Sequence, residues 1–333
     1  MLKVSQDEFK NIEGKLEKFK NNLLLLVILG IAIFVALSIY ADLSDVIIVF
    51  SNFQWIYIPL FLSLTLINIS IRFFKWHYYV RQLKIDINTK DSLIIFLSGL
   101  TMVITPAKLG EVFKSYLLNK LNDTSMSRSV PIVFAERATD MIGLIILAAI
   151  GFSVFAYGKE VLLFVMAFIL FSILVIQSKK ICLRLIDFIS RIRFFSRFAD
   201  NLHTLYESAY TLFGLKNVLI AVLISVISWF FECLALFFVL KGFGVDASLL
   251  VSTFVFSFST IAGALSMIPG GLGVAEGSIT GLLVIDGISK AIAVGATLII
   301  RFCTLWFGVL VGMMTLYLYR NKFENRVMDI CQK

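Results

Sequence analysis

Histidine is nearly absent from this chain: His77 and His203 are the only two in 333 residues. They do not sit near the intramembrane acids in sequence, so a histidine-rich metal centre is excluded and no metal or other cofactor is expected. Cysteine is scarce as well. Cys182, Cys233, Cys303 and Cys331 form no Cys-x-x-Cys pair and none falls in an expected external loop, which argues against disulfides and a zinc site. Charge is the third deficit, at 16% Asp, Glu, Lys and Arg against 59% hydrophobic residues. A single soluble core cannot bury that much apolar surface. No Gly-x-Ser-x-Gly, P-loop or dinucleotide fingerprint is present, so no catalytic motif is read, although carboxylate-only lipid chemistry stays open.

What the chain has in their place is long apolar runs, with a mean hydropathy of +0.93. Leu23 to Tyr40, Trp55 to Ile71 and Asn217 to Leu240 meet or approach the roughly 20 residues that span a bilayer. A soluble bundle of buried helices fits this poorly. The net charge of +8 is sorted in a way that points to lipid and not to nucleic acid. Lys3, Lys10, Lys15, Lys18 and Lys20 precede the first run, whereas Ala41 to Gln54 holds Asp42 and Asp45 and no basic residue. Under the positive-inside rule the N-terminus is cytoplasmic, in the cell membrane of a multi-pass protein. Basic clusters recur at Arg72 to Lys90, Lys108 to Arg128, Lys179 to Lys216 and Arg320 to Lys333, which also puts the C-terminus in the cytoplasm. The first run is too long for a signal peptide and reads as a retained anchor. Residues 1–22, with Ser5 and Glu8 at capping-box spacing, read as a cytoplasmic amphipathic segment or a solvated tail.

Two stretches enter the membrane without an obvious exit. Ser92 to Thr105 is apolar but short and flanked on both sides by lysines, which suggests a re-entrant hairpin over about 92–118. Gly242 to Ser289 has no lysine or arginine although it contains a Pro-Gly break, which suggests a second hairpin over about 249–285 entering from the opposite face. Ala247 to Ile268 is, however, long enough to span on its own. The two breaks resemble each other. Pro106, Leu109 and Gly110 match Pro269, Leu272 and Gly273 at a constant offset, 269 − 106 = 163. An arginine inside an apolar run follows each break, at 137 − 106 = 31 and 301 − 269 = 32 residues. Chance is the alternative, but the spacing and the opposite sidedness favour an inverted duplication.

The resulting fold class is an all-α polytopic membrane protein, about six full spans plus two re-entrant hairpins in an inverted-repeat arrangement. Repeat 1, residues 23–157, holds spans at Leu23 to Tyr40, Trp55 to Phe74 and Ser129 to Tyr157 around the first hairpin. Repeat 2, residues 161–319, holds Val161 to Gln177, Asn217 to Leu240 and Ala291 to Tyr319 around the second. Between its first two spans, an in-plane amphipathic helix is expected over about 181–213, able to hold anionic headgroups. Residues 320–333 form a cytoplasmic tail.

Broken backbone within a bilayer survives only when buried in protein or lining a polar cavity, so both breaks are site candidates. Gly270, Gly271 and Gly273 permit tight turns and close approach, and their N–H groups together with a helix N-terminus suit an anion. They also suit plain helix packing. The charges near the breaks are Lys108, Glu111 and Glu276, with Glu136, Arg137, Asp140 and Arg301 on the following spans. Glu136, Arg137 and Asp140 fall on one helical face. Each would cost on the order of 3 kcal/mol at the bilayer centre, so they must pair or face a cavity. Arg137 with Asp140 and Arg301 with Glu276 are the candidate pairs, whether static or functional, and Glu232 is an accessory acid.

The strings "TPAKLGEVFKSYLL", "ERATDMIGL" and "IPGGLGVAEGSITGLL" followed by Arg301 resemble the flippase-like membrane domain of the lysyl-phosphatidylglycerol synthases, the multiple peptide resistance factors, and its free-standing relatives. The resemblance covers Leu23 to Tyr319. Where the family's first motif usually has glycine and arginine, this chain has Ala107 and Lys108. It stops at Lys333, and no aminoacyl-transfer domain is recognised in it, so lipid translocation is implied and lysyl transfer is not. The expected cargo is a phospholipid or polyprenyl-phosphate headgroup, anionic, aminoacylated or glycosylated. Its phosphate would be held by Arg137, Arg301, Lys108 and glycine-loop N–H groups. Glu111, Glu136, Asp140 and Glu276 would orient the arginines, or bind a cationic headgroup. A non-transporting subunit that presents lipid to a glycosyltransferase or lipid synthase partner is the rival, and a homo-oligomer is compatible with either.

Overall fold

Each apolar run becomes a helix because the backbone has no water to bond inside a bilayer and must satisfy itself along its own chain. In a computed structural model, the structure describes residues 27–105, 110–151, 159–180, 182–184, 199–320 and 322. The amphipathic segment expected over 1–22 and nearly all of the tail expected over 320–333 lie outside them.

Helix α1 (Val27–Tyr40) meets α2 (Leu43–Ser51) at a 97° bend. Asp42 makes the corner at φ 66° and accepts the Ser44 N–H. The external loop expected from Ala41 to Gln54 is therefore mostly helix. A single 3-10 turn (Trp55–Tyr57) then leads into α3 (Ile58–Gln82), with Pro59 in the first turn where its missing N–H costs nothing. The span expected to stop at Phe74 runs on to Gln82, and it buries Arg72 and Lys75 in place of releasing them into a basic loop.

The rest of the chain continues as α4 (Thr89–Gly99), a 3-10 segment (Leu100–Ile104), α5 (Phe113–Asn122), α6 (Met126–Ile150) and α7 (Lys159–Gln177). Then come α8 (Ala199–Leu212), α9 (Leu215–Gly242), α10 (Leu249–Leu265), a 3-10 turn (Pro269–Gly271) and α11 (Val274–Ile285). The last span is α12 (Lys290–Arg301) and α13 (Phe307–Leu318), joined through one π-helical turn (Phe302–Trp306). Of the in-plane helix expected over 181–213, α8 is the described part, with a short turn at 182–184; most of the remainder lies outside the described residues. Among the described residues, four helical stretches are long and apolar enough to cross a bilayer, five if the bent α1–α2 pair is one span. α6 has the length, at 25 residues, but carries Glu136, Arg137 and Asp140.

α3 and α9 lie antiparallel along their whole lengths. The Gln54 N–H donates to the Gly242 carbonyl at 3.0 Å, and Tyr57 stacks on Phe238. Further along, the Asn68 amide donates to the Ser228 carbonyl at 2.8 Å and the Tyr78 hydroxyl to Asn217 at 2.7 Å. Numbers rise on one helix as they fall on the other.

The turns after these two helices are built alike. Ile85 N–H returns to Val80 O and Val245 N–H to Leu240 O, across left-handed residues Lys84 (φ 52°) and Gly244 (φ 74°), 244 − 84 = 160 positions apart. These are Schellman-type closures. Asn88 then caps α4 and Ser248 caps α10, again 248 − 88 = 160 apart. Before α6 and α12, Asp123 (φ 52°) and Gly287 (φ 93°) turn the chain, and Ser125 and Ser289 occupy the N-cap positions, 289 − 125 = 164 apart.

The segments between these turns are short. α4 and α5, at 11 and 10 residues, reach only about 15 Å each against a ~30 Å hydrocarbon core. α10 and α11, at 17 and 12 residues, reach about 25 and 18 Å. Their inner ends touch: Ile104, closing the first pair, packs with Leu272 of the second against Leu305 and Val309. Gly271, at φ 65°, lies against the backbone of Gly263, where an added Cβ would stand 3.0 Å from the Gly263 Cα.

Gly244 and Gly281 both face open space, so only backbone conformation separates them. Gly244→Ala should cost about 1 kcal/mol because its φ is left-handed. Gly281→Ala, inside α11, should gain up to about 1 kcal/mol. Chemical unfolding of the detergent-solubilised protein checks both signs.

Candidate functional site

α6 carries its charges into the middle of the bundle because each finds a partner on a neighbouring element. The fully buried Lys75 on α3 is ion-paired and hydrogen-bonded to Asp140, and it also bonds the Ser225 hydroxyl at 2.8 Å. Asp140 Oδ2 lies 3.0 Å from Arg137, whose Nη2 is 3.3 Å from Glu111. Glu111 stands 3.2 Å from Lys114, and Lys114 closes on Glu136 at 2.5 Å. Lys75 in turn donates to the Glu136 carbonyl at 3.4 Å, so the chain of alternating charge returns on itself. Lys114 also sits over the Trp76 ring at 4.7 Å, and Arg72 reaches Glu111 at 4.0 Å while lying 5.5 Å above the Trp229 ring.

The second pair of short helices carries a simpler arrangement. Arg301 Nε donates to Glu276 at 2.6 Å and its Nη2 to the Gly270 carbonyl at 2.8 Å. The other Glu276 oxygen accepts the Gly273 N–H at 2.7 Å, capping α11. One carboxylate thus ties the helix start to the last span.

Arg137 and Arg301 both line a cavity of about 170 Å³. Asp140, Thr105, Trp229, Thr260, Gly270 and Gly271 also line it, so both inner ends of the short helices border one space. Arg137 is 21% exposed and Arg301 12%, whereas Glu111, Glu136 and Glu276 are at 2% or less. Among the described residues, Nε and Nη2 of Arg137 make no hydrogen bond of good geometry. A second polar cavity of about 40 Å³ lies between α3, α9 and the π turn, lined by Arg72, Glu232, Asn68 and Thr304 among others.

Of the ten residues selected from sequence, Arg137, Asp140, Gly270, Gly271 and Arg301 border the main cavity. Glu111, Glu136 and Glu276 are buried behind it as partners of the basic residues. Lys108 lies outside the described residues. The expectation that glycine N–H groups hold an anion is corrected here for two of the three. Gly271 N–H donates to the Ile268 carbonyl at 2.9 Å and Gly273 N–H to Glu276, so both are already satisfied. These glycines serve left-handed turns and close backbone contact. Arg72, Lys75 and Lys114 are charges that sequence reasoning assigned to cytoplasmic loops. The signal for them was present: Arg72 and Lys75 are followed by Trp76 and Tyr79, which continue the buried face, and Lys114 is three residues from Glu111.

Lys114 answers two buried carboxylates, so Lys114→Met should destabilise the protein by about 3–5 kcal/mol. Lys114→Met/Glu136→Gln should recover most of that, because Glu111 keeps Arg137 and Arg72. Denaturant titration of the purified variants reads the difference.

With this geometry in hand, known proteins offer three comparisons. The family model of the lysylphosphatidylglycerol synthase transmembrane region matches residues 27–312. A UPF0104 membrane protein of Methanothermobacter thermautotrophicus is 23% identical over 330 residues, covering 92% of this chain and 98% of its own. Another from Pyrococcus horikoshii is 24% identical over 316 residues, covering 86% and 94%. The match is to a membrane region and brings no catalytic domain with it. This all-helical, multi-pass membrane protein belongs to the lysylphosphatidylglycerol synthase transmembrane-region family.

Proposed function

We propose that this protein moves a lipid headgroup, anionic, aminoacylated or glycosylated, between the leaflets of the cell membrane. The observation that carries this reading is the pair of arginines, Arg137 and Arg301, lining one cavity at the inner ends of two pairs of short helices. A guanidinium partly exposed to the cavity suits a phosphate, and Asp140 beside it suits a cationic substituent. The lipid tails remain in the bilayer.

An inverted duplication supports the reading. The matched turns and caps after α3 and α9, and before α6 and α12, recur at offsets of 160 and 164 residues. Arg137 and Arg301 share the second offset, 301 − 137 = 164. Asn68 and Ser228, which touch, share the first, 228 − 68 = 160. Contact between equivalent positions on antiparallel helices is what a two-fold axis in the membrane plane produces. On this reading the two helix pairs are re-entrant hairpins from opposite faces, α6 is the sixth span, and both termini are cytoplasmic. Opening one hairpin at a time gives alternating access.

Two measurements test it. In liposomes with headgroup-labelled lipid, Arg137→Ala and Arg301→Ala should each slow leaflet exchange about tenfold or more, the worth of a lost charged hydrogen bond. Tight lipid binding by the parent protein without exchange would favour a subunit that presents lipid to a glycosyltransferase or synthase. In cells, Asp86→Cys and Asp246→Cys, equivalent and exposed, should label with an impermeant maleimide from opposite faces. Labelling from the same face sinks the inverted arrangement.

A further inference from the structure

A cavity larger than the charged one lies elsewhere among the described residues. A groove of about 570 Å³ runs between α6, α7 and α8, lined by Pro131, Phe134, Phe168, Ile173, Leu202 and Phe213 among others. That volume lies in the range of ligand pockets. Among the described residues, three side chains on its wall carry polar atoms that could turn toward a ligand, and each donates its hydrogen internally. The Ser172 hydroxyl donates to the Phe168 carbonyl, the Tyr206 hydroxyl to the Ile176 carbonyl, and the Cys182 thiol to the Val175 carbonyl. The described wall therefore offers a ligand almost entirely hydrocarbon contact.

The groove opens on the side of α7 that faces outward. Leu163, Phe164, Phe168, Phe171 and Leu174 are all exposed there, which in a bilayer means contact with lipid tails. At the end of α7 the character changes. Lys179 holds its ammonium 4.4 Å over the Tyr210 ring, Lys180 is exposed beside it, and Arg184 is exposed two residues beyond the groove-lining Cys182. Asp200 and Glu207 on α8 offset part of this, two acids against three bases. The Gln177 side chain ties this end to α8 through the Tyr210 carbonyl at 2.9 Å, so the basic end is fixed relative to the groove.

We infer that this groove is a resident site for an anionic membrane phospholipid, one acyl chain lying between α6, α7 and α8 and the phosphate at Lys179, Lys180 and Arg184. The site is separate from the Arg137–Arg301 cavity and does not rest on the translocation reading: a protein that moves no lipid still holds this one. Its occupancy completes the packing of α7, which among the described residues is mostly exposed on its own.

Native mass spectrometry of the detergent-purified protein, titrated with phosphatidylglycerol or with phosphatidylcholine of the same chains, tests this. One phosphatidylglycerol should be retained in preference. Lys180→Gln and Arg184→Gln, both at exposed positions, should each weaken that retention about fivefold, the worth of one basic residue at a membrane surface. Ser172→Trp from one wall and Ala209→Phe from the other should displace the lipid while the protein stays monodisperse. Equal retention of both lipids, retention unchanged by the two charge variants, or no retained lipid in the parent would each overturn the proposal; the last would mean that the chain's own residues fill the groove.

Discussion

Everything central in this structure depends on one constraint: a charge on α6 must be answered within the bundle, because the bilayer offers it no water. Asp140, Arg137 and Glu136 could not occupy a span unless Lys75, Glu111 and Lys114 arrived from α3, from just ahead of α5, and from α5 itself. The first short helix pair is thereby tied to α6 by ion pairs as well as by the apolar cluster that Leu117, Leu118 and Leu121 share with Ile132 and Ala135. An uncharged α6 would leave Lys114 with Glu111 as its one carboxylate partner among the described residues. The same logic holds more sparingly in the second half, where Glu276 alone links the start of α11 to Arg301.

The two halves share a backbone plan and differ in chemistry. Counting by the same offsets, Arg301 stands where Arg137 does, but Thr304 stands for Asp140 (304 − 140 = 164) and Ala235 for Lys75 (235 − 75 = 160). The first half thus holds its short helices through a chain of six charges whose ends meet where Lys75 donates to the Glu136 backbone carbonyl. The second holds its own through one arginine, which donates to both Glu276 and the Gly270 carbonyl, and a close glycine contact at Gly263 and Gly271. A glycine contact is short-ranged and unforgiving of side chains, whereas an ion-pair circuit tolerates small shifts by exchanging partners.

Much of this was readable in the sequence because it was local. Pro269 with its glycines, the arginines 31 and 32 residues past each break, and the carboxylates beside them announced themselves by standing in apolar runs. The burial of Lys75 was not readable in that way, since its partner lies 65 positions further on and only folding brings them together. The rule that sorts lysine and arginine to the cytoplasmic side also misled at Arg72 and Lys114, because it counts charges near a span without asking whether an acid waits inside. The bend between α1 and α2 escaped for a different reason. Leu43–Ser51 is apolar enough to be helical, but its direction is set by Asp42 in a left-handed conformation, which no periodicity reveals.

The described interior charges bordering the two polar cavities or paired behind them come in equal numbers: Arg72, Lys75, Lys114, Arg137 and Arg301 against Glu111, Glu136, Asp140, Glu232 and Glu276. A voltage across the membrane exerts a force worth about 2.3 kcal/mol per 100 mV on each unpaired elementary charge carried through it. A set that sums to zero and shifts together feels almost none of that force. Moving this described set together therefore costs almost no electrical work.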